Sequence, residues 1–269
     1  MVSSISLSLA TTLFASSASS SGGFDVTQLY STGASATSSL PPGVVLKQAE
    51  TNETKQLADV KKDPQVQKDL ARYAKVVSTA KTLNDVLDDP VARKVFMKAN
   101  GLGDQTDYVG LAKKALASDP TDTTSLAKKL SSVNGNWLDT VKRFDFKRLG
   151  VTALRLTGAV DKVSNDYVSE IRLDNLDKET PGLGSAILFK TVAPTLDTPL
   201  KILGSALGRE VVVTALGLPK EIALQSLDAQ SKAITQRLDI TKLKDPAFVD
   251  QLVQRYLLRI NGGTGGITA

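Results

Sequence analysis

The chain of 269 residues contains no cysteine and no histidine. Without thiols there are no disulfides and no thiolate nucleophile. Without imidazole there is no Ser-His-Asp triad, and the two absences together remove every His- or Cys-ligated metal site. Lack of cysteine leaves the redox compartment open. It is compatible with export, because no thiol can cross-link wrongly outside the cytoplasm. Aromatic residues make up only 5% of the chain. A core must therefore be built from Leu, Val, Ile and Ala, which favours helices packed through aliphatic ridges over an aromatic-rich β-sandwich. No apolar run approaches the length of a membrane-spanning helix, so no membrane insertion is expected. The net charge of +5 and pI near 9.2 are only mildly basic. Basic residues fall in scattered pairs, such as Lys61-Lys62, Lys113-Lys114 and Lys128-Lys129, with no aromatic platform for bases beside them. Nucleic-acid binding is therefore not expected.

What the chain does have is a phrase written twice. Arg93-Lys94-Val95-Phe96-Met97-Lys98-Ala99-Asn100-Gly101-Leu102 is echoed by Arg209-Glu210-Val211-Val212-Val213-Thr214-Ala215-Leu216-Gly217-Leu218. Each copy places Val and Ala four apart and closes on Gly-Leu. The echo extends to Trp137–Phe144 against Phe248–Tyr256, with one residue inserted. This reads as an all-α protein of two similar multihelical units, residues 61–150 and 151–260. They are flanked by a disordered arm and linker over 1–60 and a Gly-rich tail over 261–269.

The arm is rich in Ser and Thr, and Asp25 is its one charged side chain before Lys47. Such a segment buries too little apolar surface to offset the entropy of ordering it. Its weak apolar run from Ile5 to Phe14 lacks the basic start of a signal peptide. A cleaved signal, an uncleaved unfolded export signal and a plain flexible arm all remain readings of it. Pro41-Pro42-Gly43 marks a linker. Asp63-Pro64, Asp89-Pro90 and Asp245-Pro246 are helix-start pairs: Asp accepts from free N–H groups, and Pro sits where no N–H is needed. Thr82 and Asp85 have the spacing of a capping box. Thr106 is expected to cap a helix ending near Leu116, and Pro219 to start one. Further helices are expected over 160–178, 187–192 and 231–238. Strand-type alternation is nearly absent.

Candidate chemistry is thin. Asp88 and Asp89 are adjacent acids, but the second is explained as a cap. Lys190 stands in an apolar stretch, where a lowered pKa or a snorkelling side chain are the alternatives. Gly204 to Gly208 lacks the Gly-Lys-Ser/Thr of a phosphate loop and suits close helix approach. No catalytic residue, cofactor or metal ligand is assigned, and the protein is read as not an enzyme. A carboxylate enzyme acting on cell-wall glycan would need two acids facing one cleft. Trp137 and Phe144, seven apart, fit the core, which leaves Phe146 as the aromatic best placed to contact a partner.

Several stretches carry a family resemblance. Ala80–Pro90, Ala99–Leu102, Asp119–Leu130, Phe144-Asp145-Phe146, Arg237–Ile240 and Asp245–Leu257 resemble a helical family of unknown function encoded in flagellar gene clusters of alphaproteobacteria. The resemblance spans roughly residues 63–258. It implies a structural or assembly role in the bacterial flagellum, with rod, hook or filament proteins as partners. It also implies export to that organelle; the alternative is a cytoplasmic adaptor or chaperone for axial subunits. It carries over no functional residue.

Overall fold

Helix signals in the sequence become helices largely where the backbone's free N–H groups find an acceptor. Asp63 accepts from the N–H groups of Gln65 and Val66 at 2.7 and 3.1 Å, with Pro64 at the first helical position. Asp89 does the same for Val91 and Ala92 at 3.1 and 2.8 Å, and Asp245 for Ala247 at 2.9 Å. Thr82 and Asp85 close a reciprocal capping box. A side-chain cap of this kind is worth about 1 kcal/mol.

A computed structural model describes residues 40–262, and among them every regular element is an α-helix or a 3-10 turn. The first five helices are α1 (Pro42–Thr51), α2 (Glu53–Lys62), α3 (Pro64–Thr79), α4 (Leu83–Asp88) and α5 (Pro90–Ala99). Next come α6 (Val109–Leu116), α7 (Leu126–Leu130), α8 (Asn136–Phe144), α9 (Phe146–Leu149) and the long α10 (Ala159–Glu179). The last are α11 (Leu183–Val192), α12 (Pro199–Gly204), α13 (Ala206–Ala215), α14 (Leu227–Thr235) and α15 (Pro246–Ile260).

Helices α3, α5 and α10 pack on one another, and so do α11, α13 and α15. Two hydrophobic clusters result. Tyr73, Phe96, Trp137 and Tyr167 are among the largest side chains of the first, and Phe189 and Tyr256 of the second. The clusters meet along α10, which gives Val163, Tyr167 and Val168 to one and Leu173 and Leu176 to the other. No break near residue 150 separates them, because a single helix serves both.

Helices α5 and α13 end alike. Gly101 and Gly217 have φ of 65° and 64°. Leu102 N–H reaches back to the Met97 carbonyl at 2.8 Å, and Leu218 N–H to that of Val213 at 3.0 Å. This is the Schellman closure, which requires a left-handed residue that glycine adopts without a Cβ penalty. Each helix also carries an arginine that donates back to the preceding short helix: Arg93 to the Leu87 carbonyl at 2.6 Å, Arg209 to that of Leu203 at 2.8 Å.

Three expectations are corrected. The segment 42–60, read as part of a disordered arm and linker, lies within α1 and α2. Composition changes before it does: Leu46 with Ala49, and Leu57 with Val60, give each helix an apolar stripe at helical spacing. Leu46 and Ala49 enter the second cluster and Val60 the first. Pro42 opens α1 instead of marking a linker. Thr106 caps nothing; its hydroxyl donates to the Gly103 carbonyl at 2.7 Å, and α6 begins at Val109. Pro219 leads into a 3-10 turn over Lys220–Leu224, and α14 starts at Leu227, where Ser226 accepts from the Ala229 N–H at 3.3 Å. The arm over 1–39 and the tail beyond 262 lie outside the described residues.

Candidate functional site

Phe146, expected at the surface, is buried at 5% exposure. Asp145, between α8 and α9, turns the chain with φ of 44°, a left-handed conformation that Asp tolerates. Phe146 then stacks on Phe144 with centroids 5.3 Å apart, and both meet Phe96 at 5.8 and 5.3 Å. These rings anchor the core, as Trp137 does at 2% exposure. The Asp between the two phenylalanines was the available signal, since a left-handed break cancels the helical spacing that kept Phe146 outside.

The other singled-out residues also find structural partners. Asp88 pairs with Lys113 at 2.5 Å. Asp89 caps α5 and accepts from Arg72 at 2.6 Å. Burial alone would raise its pKa, but the Ala92 N–H and the Arg72 guanidinium hold it below the usual carboxylate range. Lys190 does not titrate downward. Burial pushes it that way, yet Asp250, 2.5 Å away, and Glu50 outweigh burial and raise its pKa. It thereby joins α1, α11 and α15. Gly208 lies where α13 approaches Leu196 and the Ile202 carbonyl, 3.0 and 3.1 Å from an added Cβ, so this glycine serves close packing.

Sequence reasoning missed two polar constellations. In the first, Asp69 of α3 is 2% exposed and accepts from Tyr167 and Gln65 at 2.8 Å each, and from Lys94. Burial opposes its ionisation, but those three donors prevail and its pKa is lowered. Tyr167 is pushed up by burial and by the hydrogen bond its hydroxyl donates to the negatively charged Asp69. On the next turn of α10, Glu170 is driven up to about 7 by burial, with Lys98 opposing and Asp174 and Asp166 reinforcing. No short-range pattern announces these groups, because their partners stand on other helices.

In the second, Arg172 of α10 is 4% exposed and donates to the Ala49 carbonyl at 2.7 Å, to Gln56 Oε1 at 2.9 Å and to Glu53 Oε1 at 3.3 Å. It fixes α1 and α2 to the body. Beside it, α2 and α10 border a cleft of about 270 Å³. Val60, Ile171 and Leu176 supply apolar lining, and Asp59, Asp63 and Glu179 supply carboxylates. That volume lies at the lower edge of the roughly 300–1,000 Å³ of sites that hold small molecules and cofactors. Among the described residues no three acids cluster in a way that could hold a metal ion. No described helix is long and apolar enough to cross a membrane.

Among the described residues, fold and site together define an all-helical protein whose buried charges tie helices to one another and which carries a small open cleft between two of them. Residues 99–249, more than half of the chain, match the family of proteins of unknown function designated DUF1217, and the chain belongs to that family. Its structure is similar to the crystal structure of protein AGR_C_984 from Agrobacterium tumefaciens. The TM-score is 0.67 at 23% identity, covering 86% of this chain and 99% of that one. At that identity the likeness concerns the fold alone. No curated protein matches the chain.

Proposed function

We propose that this protein is a non-enzymatic structural or assembly component of the bacterial flagellum, built from two related helical halves and acting through protein–protein contacts. The observation that supports the contact-based reading is the α2–α10 cleft, an open recess of a size that takes a partner's side chain. The flagellar part rests on the resemblance of the capped helix starts and repeated turns to a family encoded beside flagellar genes.

The repeat is supported by one constant spacing. It relates Leu87 to Leu203, Arg93 to Arg209 and Gly101 to Gly217, each pair in the same local role. The same spacing relates α3 to α11, with Tyr73 corresponding to Phe189. A shorter constant spacing relates Leu149-Gly150-Val151-Thr152-Ala153-Leu154-Arg155 to Leu238-Asp239-Ile240-Thr241-Lys242-Leu243-Lys244. It continues from Val163, Tyr167 and Val168 to Leu252, Tyr256 and Leu257, all buried. In this register α15 is the counterpart of α10, and the resemblance between Trp137–Phe144 and Phe248–Tyr256 is incidental.

A second reading is a cytoplasmic adaptor that holds axial subunits before export, which the apolar lining of the cleft favours. Deletion of the gene in its native bacterium tests the flagellar role. The proposal expects cells with fewer or shorter filaments and reduced swimming, restored by the gene in trans. Normal filaments and swimming in the deletion strain would contradict it.

A further inference from the structure

We propose that the α2–α10 cleft is a docking site for a lysine or arginine side chain presented by a helix of a partner protein. This rests on the contact-based reading above and names the chemistry of the contact. A long cationic side chain has an aliphatic stem and a charged head. The cleft offers both counterparts: Val60, Ile171 and Leu176 line it for the stem, and the carboxylates of Asp59, Asp63 and Glu179 stand separately along its lining, any one of them able to receive the head.

The charge balance points the same way. Arg172 is the one cation in the lining, and its donors are already directed at Ala49, Glu53 and Gln56. Lys62 approaches Asp59 only to 4.0 Å, with its side chain 78% exposed. Asp63 uses one oxygen to cap α3, which leaves the other free to accept. An anionic ligand would meet three carboxylates, and a purely apolar one would leave them desolvated without partners.

The lining residues are also paired by the constant spacing of the repeat: Gln56 with Arg172, Asp59 with Asn175, Val60 with Leu176 and Asp63 with Glu179. The cleft thus forms where one half presents its first helix against the equivalent segment of the other.

The test uses the full chain and a fluorescently labelled amphipathic helical peptide of leucine and lysine, with a leucine–glutamate peptide as counterpart, followed by anisotropy. The leucine–lysine peptide should bind and the leucine–glutamate peptide should not. The double variant D59N/E179Q should weaken binding about tenfold or more, the loss expected for removing two rim charges. The double variant D104N/D107N, which changes two exposed acids outside the cleft lining, should leave it unchanged. Both altered cleft residues are exposed, so thermal melting of D59N/E179Q should match that of the parent chain. Absent binding, or equal loss in the two double variants, would overturn the proposal. Self-association of the chain that D59N/E179Q abolishes would overturn it too, by making the occupant a second copy. A deletion strain with normal motility would remove the flagellar reading and leave the peptide result untouched.

Discussion

In the first three-helix group, Lys94 of α5 meets Asp69 of α3 and lies 5.9 Å over the ring of Tyr167 from α10, whose hydroxyl donates to the same Asp69. In the second group the residue standing where Lys94 does is Glu210 of α13, and the hydroxyl of Tyr256 from α15 donates to it at 2.6 Å. Both groups satisfy a buried tyrosine hydroxyl with a carboxylate, but the carboxylate comes from different helices. Either of the two helices facing the tyrosine can supply the acceptor, because a hydroxyl needs an oxygen within reach and not a particular backbone position. The backbone closures do not shift in this way. A left-handed glycine and a back-donating arginine recur at the same stations in both groups, since their geometry is set by the chain itself.

The largest expected effects lie in the aromatic packing that only the first group has. Phe96→Ala should cost about 3–5 kcal/mol, read as a lower urea midpoint at unchanged slope. Val212→Ala, at the corresponding place in the second group, should cost less. Equal losses would mean that the three-ring cluster adds nothing to the first group.

Next come the polar locks. Asp69→Asn should cost about 2–3 kcal/mol, because Lys94 and Tyr167 lose a buried ionised partner. Glu210→Gln should cost about 1 kcal/mol, as one hydroxyl bond is weakened. The pKa of Asp69 is lowered in the folded state. Its contribution is therefore present above the unfolded carboxylate value near 3.8 and is lost as pH falls through the folded value. Acid unfolding of the Asn variant should accordingly be shallower than that of the parent.

The paired glycines should respond alike. Gly101→Ala and Gly217→Ala should each cost about 1–2 kcal/mol, from a left-handed φ and a Cβ placed against a neighbouring side chain. Those neighbours are the side chains of Asn136 and Arg259. A large difference between the two would weaken the repeat.

Glu170 has the opposite sign to Asp69. Its folded pKa of about 7 exceeds the ordinary 4.5, so the folded state holds a proton that the unfolded state has released between those values. Stability therefore falls as pH rises from about 4.5 to 7. Glu170→Gln should stabilise the protein by about 1 kcal/mol at pH 8, a gain that thermal melting should find absent at pH 4. The smallest effect is expected at Tyr73, whose buried hydroxyl has no hydrogen-bond partner among the described residues. Tyr73→Phe makes the first group resemble the second, where Phe189 stands, and should gain about 0.5–1 kcal/mol.

The elements legible in the sequence are those whose cause is local. Asp63, Asp89 and Asp245 announce their helices because cap and acceptor are two or three residues apart. Gly101 and Gly217 announce the ends because the closure spans a single turn. Phe146 was misread because a left-handed Asp145 breaks the periodicity on which its exposure was inferred. Helices α1 and α2 were missed because the polar composition before residue 40 was extended too far, past the point where Leu46 and Ala49 begin an apolar stripe. Nothing local could reveal the Asp69 lock or the α2–α10 cleft. Arg172 and Gln56 stand far apart in sequence and are brought together by tertiary packing alone.

The central claim, a flagellar component that works by contact, is tested most directly by quantitative mass spectrometry of purified hook–basal bodies, culture medium and cytosol. The comparison is between a wild-type strain and one lacking the flagellar export ATPase. The account predicts the intact protein in the basal bodies or the medium of the wild type, and its loss from both in the mutant. Protein confined to the cytosol of both strains would contradict export and leave the adaptor reading in its place.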